Sequence, residues 1–256
     1  DVCSSDLAVG QFYAVFAQVR DDEVVRILHQ HPRGPRRIAD ASLVDAEVAI
    51  PVDGSTLAGR LTIPRSPRLL AVFAHGSGSD HRSPRNVAMA HALQAAGIGT
   101  LLVDLFTDRE SPDDAFDLGR SVRRFTAACA WAGEQSASGS LPIGLHGSST
   151  GGAVALAAAA MEPGLAQSIV TRSGRPDLAA EWLPRVSAPT LLIVGARDAQ
   201  TLELNRQAQT HIGGRTLLEV VRGAGHLFDE PGTLQQAARL AQSWYLSHCE
   251  QIARVS

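Results

Sequence analysis

Residues 144–152 read Gly-Leu-His-Gly-Ser-Ser-Thr-Gly-Gly, and Gly147 to Gly151 fit the pattern Gly-x-Ser-x-Gly around Ser149. The short apolar run 141–145 before it predicts a buried strand. Residues 153–161, almost pure Ala, Leu and Val, predict a buried helix. Gly147 and Gly151 lack side chains, so strand and helix can meet closely while Ser149 takes a strained conformation. The pattern therefore predicts a nucleophile elbow, with the Ser149 hydroxyl exposed at the positive end of a helix.

The composition is that of an ordinary globular protein. The chain has 256 residues, of which 45% are hydrophobic and 19% charged, enough for one α/β domain with a full core. A net charge of −3 gives no reason to expect a nucleic acid or an anionic membrane as partner. No apolar run reaches the roughly 20 residues that span a bilayer, and no signal-peptide pattern is present. Cys3, Cys129 and Cys249 show neither metal-binding nor disulfide spacing, so a reducing cytoplasm is the predicted compartment.

The first 45 residues are predicted to be an N-terminal extension and linker. Residues 1–7 look like a translated sequencing adapter, which predicts an environmental DNA source and excludes them from fold reasoning. Residues 9–28 resemble the C-terminal end of bacterial phosphoribosyltransferase domains, which implies a severed fusion; a plain extension is the alternative. The run 29–43 is rich in Pro, Arg and Gly, so His29 and His31 are interpreted as solvated linker residues rather than metal ligands.

Downstream, apolar strand patterns alternate with helical ones, which predicts a mostly parallel sheet covered by helices on both faces. Strands are predicted at 47–51, 57–63, 69–74, 99–106, 141–145, 167–171, 189–194 and 216–221, and helices at 83–96, 116–134, 153–161, 201–211 and 231–248. Asp53-Gly54 predicts a tight turn that joins the first two strands as an antiparallel hairpin. The connection 171–189 is too short for a helical lid domain, so the site should be shallow and open.

The partners that a nucleophilic serine needs follow Ser149 in the order acid, then histidine. His226 comes directly after the last strand, where its imidazole can act as the base for the serine hydroxyl. Asp198 ends the preceding strand and can accept the other imidazole N–H. All three residues fall at the carboxyl ends of strands, where open α/β sheets place their sites. Asp177, after the 167–171 strand, is the alternative acid.

An oxyanion hole is predicted from two backbone N–H groups. Thr150, directly after the nucleophile, supplies one. The loop 75–79, His-Gly-Ser-Gly-Ser, supplies the other, with the Ser77 N–H as first choice and the Gly78 N–H as alternative. His75 is predicted to orient this loop, and His146 to be a satisfied core histidine.

Four motifs carry a resemblance over residues of about 46 to 250: His-Gly-Ser-Gly-Ser from 75, Gly-Ser-Ser-Thr-Gly-Gly from 147, Val-Gly-Ala-Arg-Asp from 194 and Gly-Ala-Gly-His-Leu-Phe from 223. Together they resemble the dienelactone-hydrolase-like branch of the α/β-hydrolases, and in particular the hydrolase half of phosphoribosyltransferase–hydrolase fusions. The resemblance implies an α/β-hydrolase domain over 46–256. Dienelactone hydrolases use a cysteine nucleophile, whereas this chain has Ser149, which favours a general serine esterase.

The predicted function is a serine carboxylic-ester hydrolase that forms an acyl-enzyme without metal or cofactor. Gly78, Phe106 and Trp182 are predicted to line the substrate site, although Trp182 can equally pack under a short helix. Asp108 and Arg109 can form another wall, with a solvated loop as the alternative. An open cleft suits small esters and also admits polyesters. Acyl transfer or lactone opening on the same triad, and a non-catalytic binding module, are the competing hypotheses.

Overall fold

The structure, a computed structural model, describes residues 42–106, 117–135 and 137–249. Residues 1–41 of the predicted N-terminal extension, with His29 and His31, lie outside these ranges, as do Asp108 and Arg109. Residues 42–45, the end of the predicted extension, form the start of β1. The strands are β1 (Ser42–Val52), β2 (Ser55–Pro64), β3 (Leu69–Ala74), β4 (Ile98–Val103), β5 (Ile143–Ser148), β6 (Ser168–Arg172), β7 (Thr190–Gly195) and β8 (Thr216–Val221). The helices are α1 (Pro84–Ala95), α2 (Leu118–Glu134), α3 (Thr150–Met161), α4 (Ala199–His211) and α5 (Thr233–Cys249).

The strands form one sheet in the order β1-β2-β4-β3-β5-β6-β7-β8. β2 runs antiparallel to both β1 and β4, and every other neighbouring pair is parallel. Asp53 and Gly54, with φ of 51° and 72°, make the predicted turn between β1 and β2. The predicted mostly parallel sheet with an antiparallel hairpin at one edge is confirmed.

Each face of the sheet packs against its own layer of helices. In β3, Leu70, Val72 and Ala74 face the core under α2 and α3. The alternating residues Leu69, Ala71 and Phe73 face the core under α1 and α5. All residues of β3, β4 and β7 are buried, as central parallel strands with two covered faces require. This packing fixes the strand ends that carry the site.

Two connections matter for the site. β6 and β7 are joined by residues that include a 3₁₀ helix, Pro176–Arg185, and no inserted domain, so the predicted absence of a lid at this position is confirmed. β4 ends at Val103, not at 106, because Asp104 turns out of the strand to accept hydrogen bonds from the loop after β3. No helix within the described ranges is both long and apolar enough to cross a membrane.

Candidate active site

Ser149 lies at the turn between β5 and α3 with φ of 51° and ψ of −122°, a conformation that L residues rarely adopt. Neighbouring glycines allow this turn to form. A side chain on Gly151 would overlap the carbonyl of Ala74, and one on Gly147 would meet the backbone of Gly152. A Cβ on Gly76 would lie 3.0 Å from Ser149 Cβ, so the loop after β3 passes directly beside the nucleophile. The strained turn predicted from the sequence is present.

The structure brings together Ser149, His226 and Asp198 in a chain of hydrogen bonds. His226 Nδ1 lies 2.6 Å from Asp198 Oδ2, and His226 Nε2 lies 3.4 Å from Ser149 Oγ. An ionised carboxylate only accepts hydrogen bonds, so the ring proton sits on Nδ1 and Nε2 is free to accept the serine proton. The 3.4 Å contact is at the long end for a hydrogen bond.

Asp198 is held as an anion by its surroundings. Burial by itself would raise the pKa of Asp198, but hydrogen bonds from His226 and Thr201 outweigh burial and lower that pKa below 3.8. The Thr201 N–H donates to Asp198 Oδ1 at 3.3 Å, so the same side chain caps α4. The ionised carboxylate can therefore stabilise the imidazolium that forms when His226 takes a proton.

Asp177, the alternative acid, has a different partner. Its two carboxylate oxygens accept from Arg175, with Nε 2.9 Å from Oδ1 and Nη2 2.7 Å from Oδ2. No contact joins Asp177 to His226 within the described ranges. The structure therefore places Asp198, and not Asp177, against the histidine.

Three contacts hold the loop that carries His226, two to other parts of the chain and one within the loop itself. The Ser173 hydroxyl donates to the carbonyl of His226 at 2.7 Å. The Gly225 N–H donates to the Glu230 carboxylate, with both oxygens 3.0 Å away. Asp229 pairs with Arg85, at the start of α1, at 3.1 Å. These contacts fix the position of the imidazole in advance, which is a requirement for efficient proton transfer.

We expect Ser173→Ala to lower kcat for ester hydrolysis about tenfold with little change in KM, because a histidine that is less well positioned transfers the proton less efficiently. Steady-state kinetics measure this. Ser168→Ala is the matched control, since Ser168 is buried in the neighbouring strand β6 and its hydroxyl has no partner within the described ranges. An equal loss of kcat in both variants would contradict a positioning role for Ser173.

Ser77 and Thr150, the predicted oxyanion-hole residues, lie against each other. The Thr150 N–H has no acceptor within the described ranges. The Ser77 N–H instead donates to Thr150 Oγ1 at 3.0 Å, and the two hydroxyl oxygens are 3.2 Å apart. Gly78, the alternative donor, has a φ of 74° in the adjoining turn. The Ser77 N–H must therefore be shared with, or released from, the Thr150 hydroxyl before it can bind a substrate oxygen.

Asp104 ties this loop to the sheet. Its carboxylate accepts from His75 Nε2 at 3.0 Å, from the His81 N–H at 2.6 Å and from His81 Nδ1 at 2.6 Å. His81 Nε2 also lies 3.0 Å from Glu47 Oε2 on β1. The role predicted for His75, orienting the loop, is thus shared by a network of two buried histidines and one carboxylate. Burial alone would raise the pKa of Asp104, but hydrogen bonds from the histidines outweigh it, and that pKa falls below 3.8.

We expect Asp104→Asn to lower the free energy of unfolding by about 1–3 kcal/mol near neutral pH, because an amide cannot accept from three donors as a carboxylate does. The pKa of Asp104 is lowered by folding, so its contribution is complete above 3.8 and is lost as pH falls through the folded-state pKa. Urea unfolding at about pH 7 and about pH 3 measures the difference. Asp45→Asn, which removes an exposed ion pair with Arg60, is the control and should cost less than about 1 kcal/mol. A loss that is the same at both pH values would contradict this role for the Asp104 carboxylate.

His146 and Arg172 are buried behind the elbow. His146 stacks on Phe73 with ring centroids 4.4 Å apart, and its Nδ1 lies 3.4 Å from the Tyr245 hydroxyl. Burial, reinforced by the charge of Arg172, lowers the pKa of His146 to about 3, so the ring is neutral at physiological pH. His146 is thus a core residue, as predicted, but it is not fully satisfied. Its Nε2 has no partner among the described residues.

The predicted lining residues pack at the edges of the core. Trp182, in the 3₁₀ helix, packs against the core cluster and lies under Arg185, whose guanidinium carbon is 5.3 Å from the ring centroid. Phe106 also packs partly buried against this cluster. Their part in binding substrate stays a prediction.

Sequence reasoning missed Asp104, His81, Ser173 and Glu230. Asp104 lay inside the predicted strand 99–106. It is the one charged residue in that apolar run, and this could have indicated that the strand ends before it. Ser173 and Glu230 had no such signal. Ser173 contacts the carbonyl of His226, which is far from it in the sequence, and Glu230 contacts the Gly225 N–H only because the loop folds back on itself. Among the described residues, no group of three His, Cys, Asp or Glu side chains is arranged to hold a metal ion.

The strand order, the elbow after β5 and the aspartate and histidine after β7 and β8 define an α/β-hydrolase. No family model matches the chain. A dienelactone hydrolase from Anabaena variabilis is 41% identical to it, with a TM-score of 0.77 over 80% of this chain and 97% of that one. The chain belongs to the dienelactone-hydrolase-like α/β-hydrolases, and it is a hydrolase of this fold.

Other relatives include a distant structure that shares only the fold and two proteins that are longer than this chain. Est1E from Butyrivibrio proteoclasticus, in its structure with ferulic acid, is 18% identical and has a TM-score of 0.70 over 80% of this chain and 99% of that one. Two Mycobacterium tuberculosis proteins, each named as a candidate phosphoribosyl transferase, are 46% identical over an alignment of 252 residues that covers 94% of this chain. The chain spans 56% of the length of these two relatives.

Proposed function

We propose that the protein is a serine carboxylic-ester hydrolase that acts through an acyl-enzyme on Ser149. The observation that carries the proposal is the hydrogen-bond chain from Asp198 through His226 to Ser149 at the strained elbow. The sequence separates these residues widely, and a binding module would gain nothing from their alignment. The arrangement meets the requirements for activating a serine hydroxyl, which is a weak nucleophile by itself.

In the proposed reaction, His226 Nε2 takes the Ser149 proton as Oγ attacks the ester carbonyl carbon. The carbonyl oxygen becomes an oxyanion, and the N–H groups of Thr150 and Ser77 donate to it, the latter turning from Thr150 Oγ1. The tetrahedral intermediate collapses, and the leaving alkoxide receives the proton from His226. Water then repeats the sequence: His226 takes its proton, hydroxide adds to the acyl carbon, and Ser149 Oγ leaves with that proton.

The proposed substrate class rests on the short connection after β6. The connection between β6 and β7 adds only a 3₁₀ helix, so no helical domain at this position restricts access to Ser149. Small esters fit such a site, and an ester group within a polymer could also reach it. The Anabaena variabilis relative is named a dienelactone hydrolase, and a lactone is a cyclic ester, so lactone opening is the second candidate function.

The whole protein can have a second activity. The two Mycobacterium tuberculosis relatives extend well beyond the length of this chain. Their names and the resemblance of residues 9–28 support a fusion in which a phosphoribosyltransferase domain precedes this hydrolase. A cytoplasmic location is proposed because the cysteines of the sequence show no disulfide spacing.

Hydrolysis of p-nitrophenyl esters from acetate to decanoate tests the proposal. We expect turnover that is highest for short acyl chains and is abolished in Ser149→Ala. Adding an alcohol acceptor separates hydrolysis from acyl transfer, because a transferase would form the new ester in preference to the free acid. Equal rates for the wild type and Ser149→Ala would contradict the proposal and favour a binding module.

A further inference from the structure

β8 is the last strand of the sheet, and one side of its backbone is open. The Thr190 N–H donates to the Arg215 carbonyl at 2.8 Å, and the Ala196 N–H donates to the Val221 carbonyl at 2.9 Å. Odd-numbered residues of this segment therefore turn their backbone groups towards β7. Because backbone groups alternate in direction along a strand, Thr216, Leu218 and Val220 turn theirs outward. These outward groups have no hydrogen-bond partner within the described ranges.

The same strand exposes apolar side chains. Leu217 is 41% exposed and Val220 39% exposed, which makes two of the four exposed large hydrophobic residues of the described ranges. A cavity of about 410 Å³ lies beside Leu217 and is walled in part by Leu240 and Trp244 of α5. Edge strands are usually protected from pairing by short length, charged side chains, proline or a bulge. β8, with the sequence Thr-Leu-Leu-Glu-Val-Val, contains no lysine or proline, and Glu219 is its one charged residue.

If β8 of one copy pairs antiparallel with β8 of a second copy, a two-fold axis relates the two strands, and opposite charges on them can face each other. Arg215 is exposed, with its guanidinium carbon 5.9 Å from the Trp244 ring centroid, and Glu219 is half-buried. Neither charge forms an ion pair with a side chain in the part of the chain that the structure describes. In antiparallel self-pairing, the outward groups of Thr216 and Leu218 must face outward groups of the other copy. If the axis passes through Leu217, Thr216 pairs with the partner subunit's Leu218, and Arg215 stands opposite the partner subunit's Glu219. A shift of the axis to Leu218 sets Glu219 against the partner subunit's Leu217 and leaves the charges unmatched.

We propose that this chain forms a two-fold dimer by antiparallel pairing of β8 with β8 of a second copy, centred on Leu217. The pairing satisfies the open backbone groups of Thr216 and Leu218 and forms two Arg215–Glu219 pairs. The Leu217 side chains meet at the axis, on the face that carries the two cavities. Because His226 follows β8 and lies outside the paired span, both active sites remain open.

Charge reversal tests this register. Sedimentation velocity over a range of concentrations should show a dimer for the wild type. Arg215→Glu sets two carboxylates opposite each other, and Glu219→Arg sets two arginines opposite each other, so each should raise the dimer dissociation constant on the order of 30-fold or more. The double variant R215E/E219R reverses both pairs and should restore the dimer. Arg222→Glu, a similar exposed charge change outside the paired span, is the matched control and should leave the dimer intact.

Each outcome decides the proposal. Restoration in the double variant, with loss in both single variants and no effect of Arg222→Glu, supports β8 pairing in this register. A wild type that is monomeric at every concentration overturns it. So does a dimer that the single variants leave unchanged, or one that the double variant fails to restore. Far-UV circular dichroism of each variant shows that it is folded, and this measurement does not depend on its esterase activity.

Discussion

Ser149→Ala is expected to lower kcat for p-nitrophenyl ester hydrolysis by about 10⁵- to 10⁶-fold, which would leave only the residual rate that substrate binding and the oxyanion donors supply. The size of the effect follows from chemistry, because alanine has no group that can attack the ester and form the acyl-enzyme. The elbow itself should survive, since Ser149 Oγ contributes only a 3.4 Å contact to His226 and none to the packing of the core. Steady-state kinetics, together with thermal unfolding, measure the two effects separately.

Ser148→Ala is the matched control for this prediction. Ser148 is the neighbouring serine, at the end of β5, but its side chain is buried and accepts from Arg172 Nη2 at 3.2 Å. Its removal should lower stability, because a buried guanidinium loses a partner, while most of the activity is retained. If the activity disappears in Ser148→Ala and persists in Ser149→Ala, the nucleophile has been assigned to the wrong serine.

Asp198→Asn is expected to lower kcat about 10⁴-fold, the second largest effect. The asparagine amide accepts the hydrogen bond from the His226 Nδ1–H less well than the carboxylate anion does, so the tautomer with an unprotonated Nε2 is no longer favoured. The imidazolium that forms during the reaction also loses the negative charge that stabilises it. The 2.6 Å contact between Asp198 and His226 makes this dependence direct. The kinetics are to be measured from about pH 6 to about pH 9, where Asp198 stays ionised because its pKa is lowered.

Asp177→Asn is the control that separates the two candidate acids. Asp177 follows β6 at a position where an acid could also reach the site, but its carboxylate is engaged by Arg175. We expect less than about a threefold change in kcat for Asp177→Asn, since it makes no contact with the histidine. A larger loss of activity in Asp177→Asn than in Asp198→Asn would overturn the assignment of the acid.

The sheet and the placement of the triad residues could be predicted because local patterns specify them. The glycines around Ser149 indicate a close turn whatever the rest of the chain does. Asp198 and His226 follow apolar runs that end at the same edge of the sheet. Strand ends in a parallel sheet are brought together by the topology alone, so residues far apart in sequence could be predicted to meet.

The supporting network could not be predicted in this way. Asp104, His75 and His81 meet because the loop after β3 folds back over the end of β4, and no local pattern encodes that contact. The hydrogen bond from the Ser77 N–H to Thr150 Oγ1 could not be predicted either, because it depends on how the Thr150 side chain is placed. Only the position of Ser77 beside the elbow was predictable from the loop. Ser173 holds the His226 carbonyl across a separation of 53 residues.

The most direct test of the proposed mechanism is to trap the acyl-enzyme. A short ester is mixed with excess enzyme, the reaction is quenched with acid within the first turnover, and the digested protein is analysed by mass spectrometry. We expect the mass of one acyl group to be added to the peptide that contains Ser149, and the adduct to be absent from Ser149→Ala. An adduct on another residue, or turnover of the ester with no covalent adduct at any quench time, would contradict the mechanism.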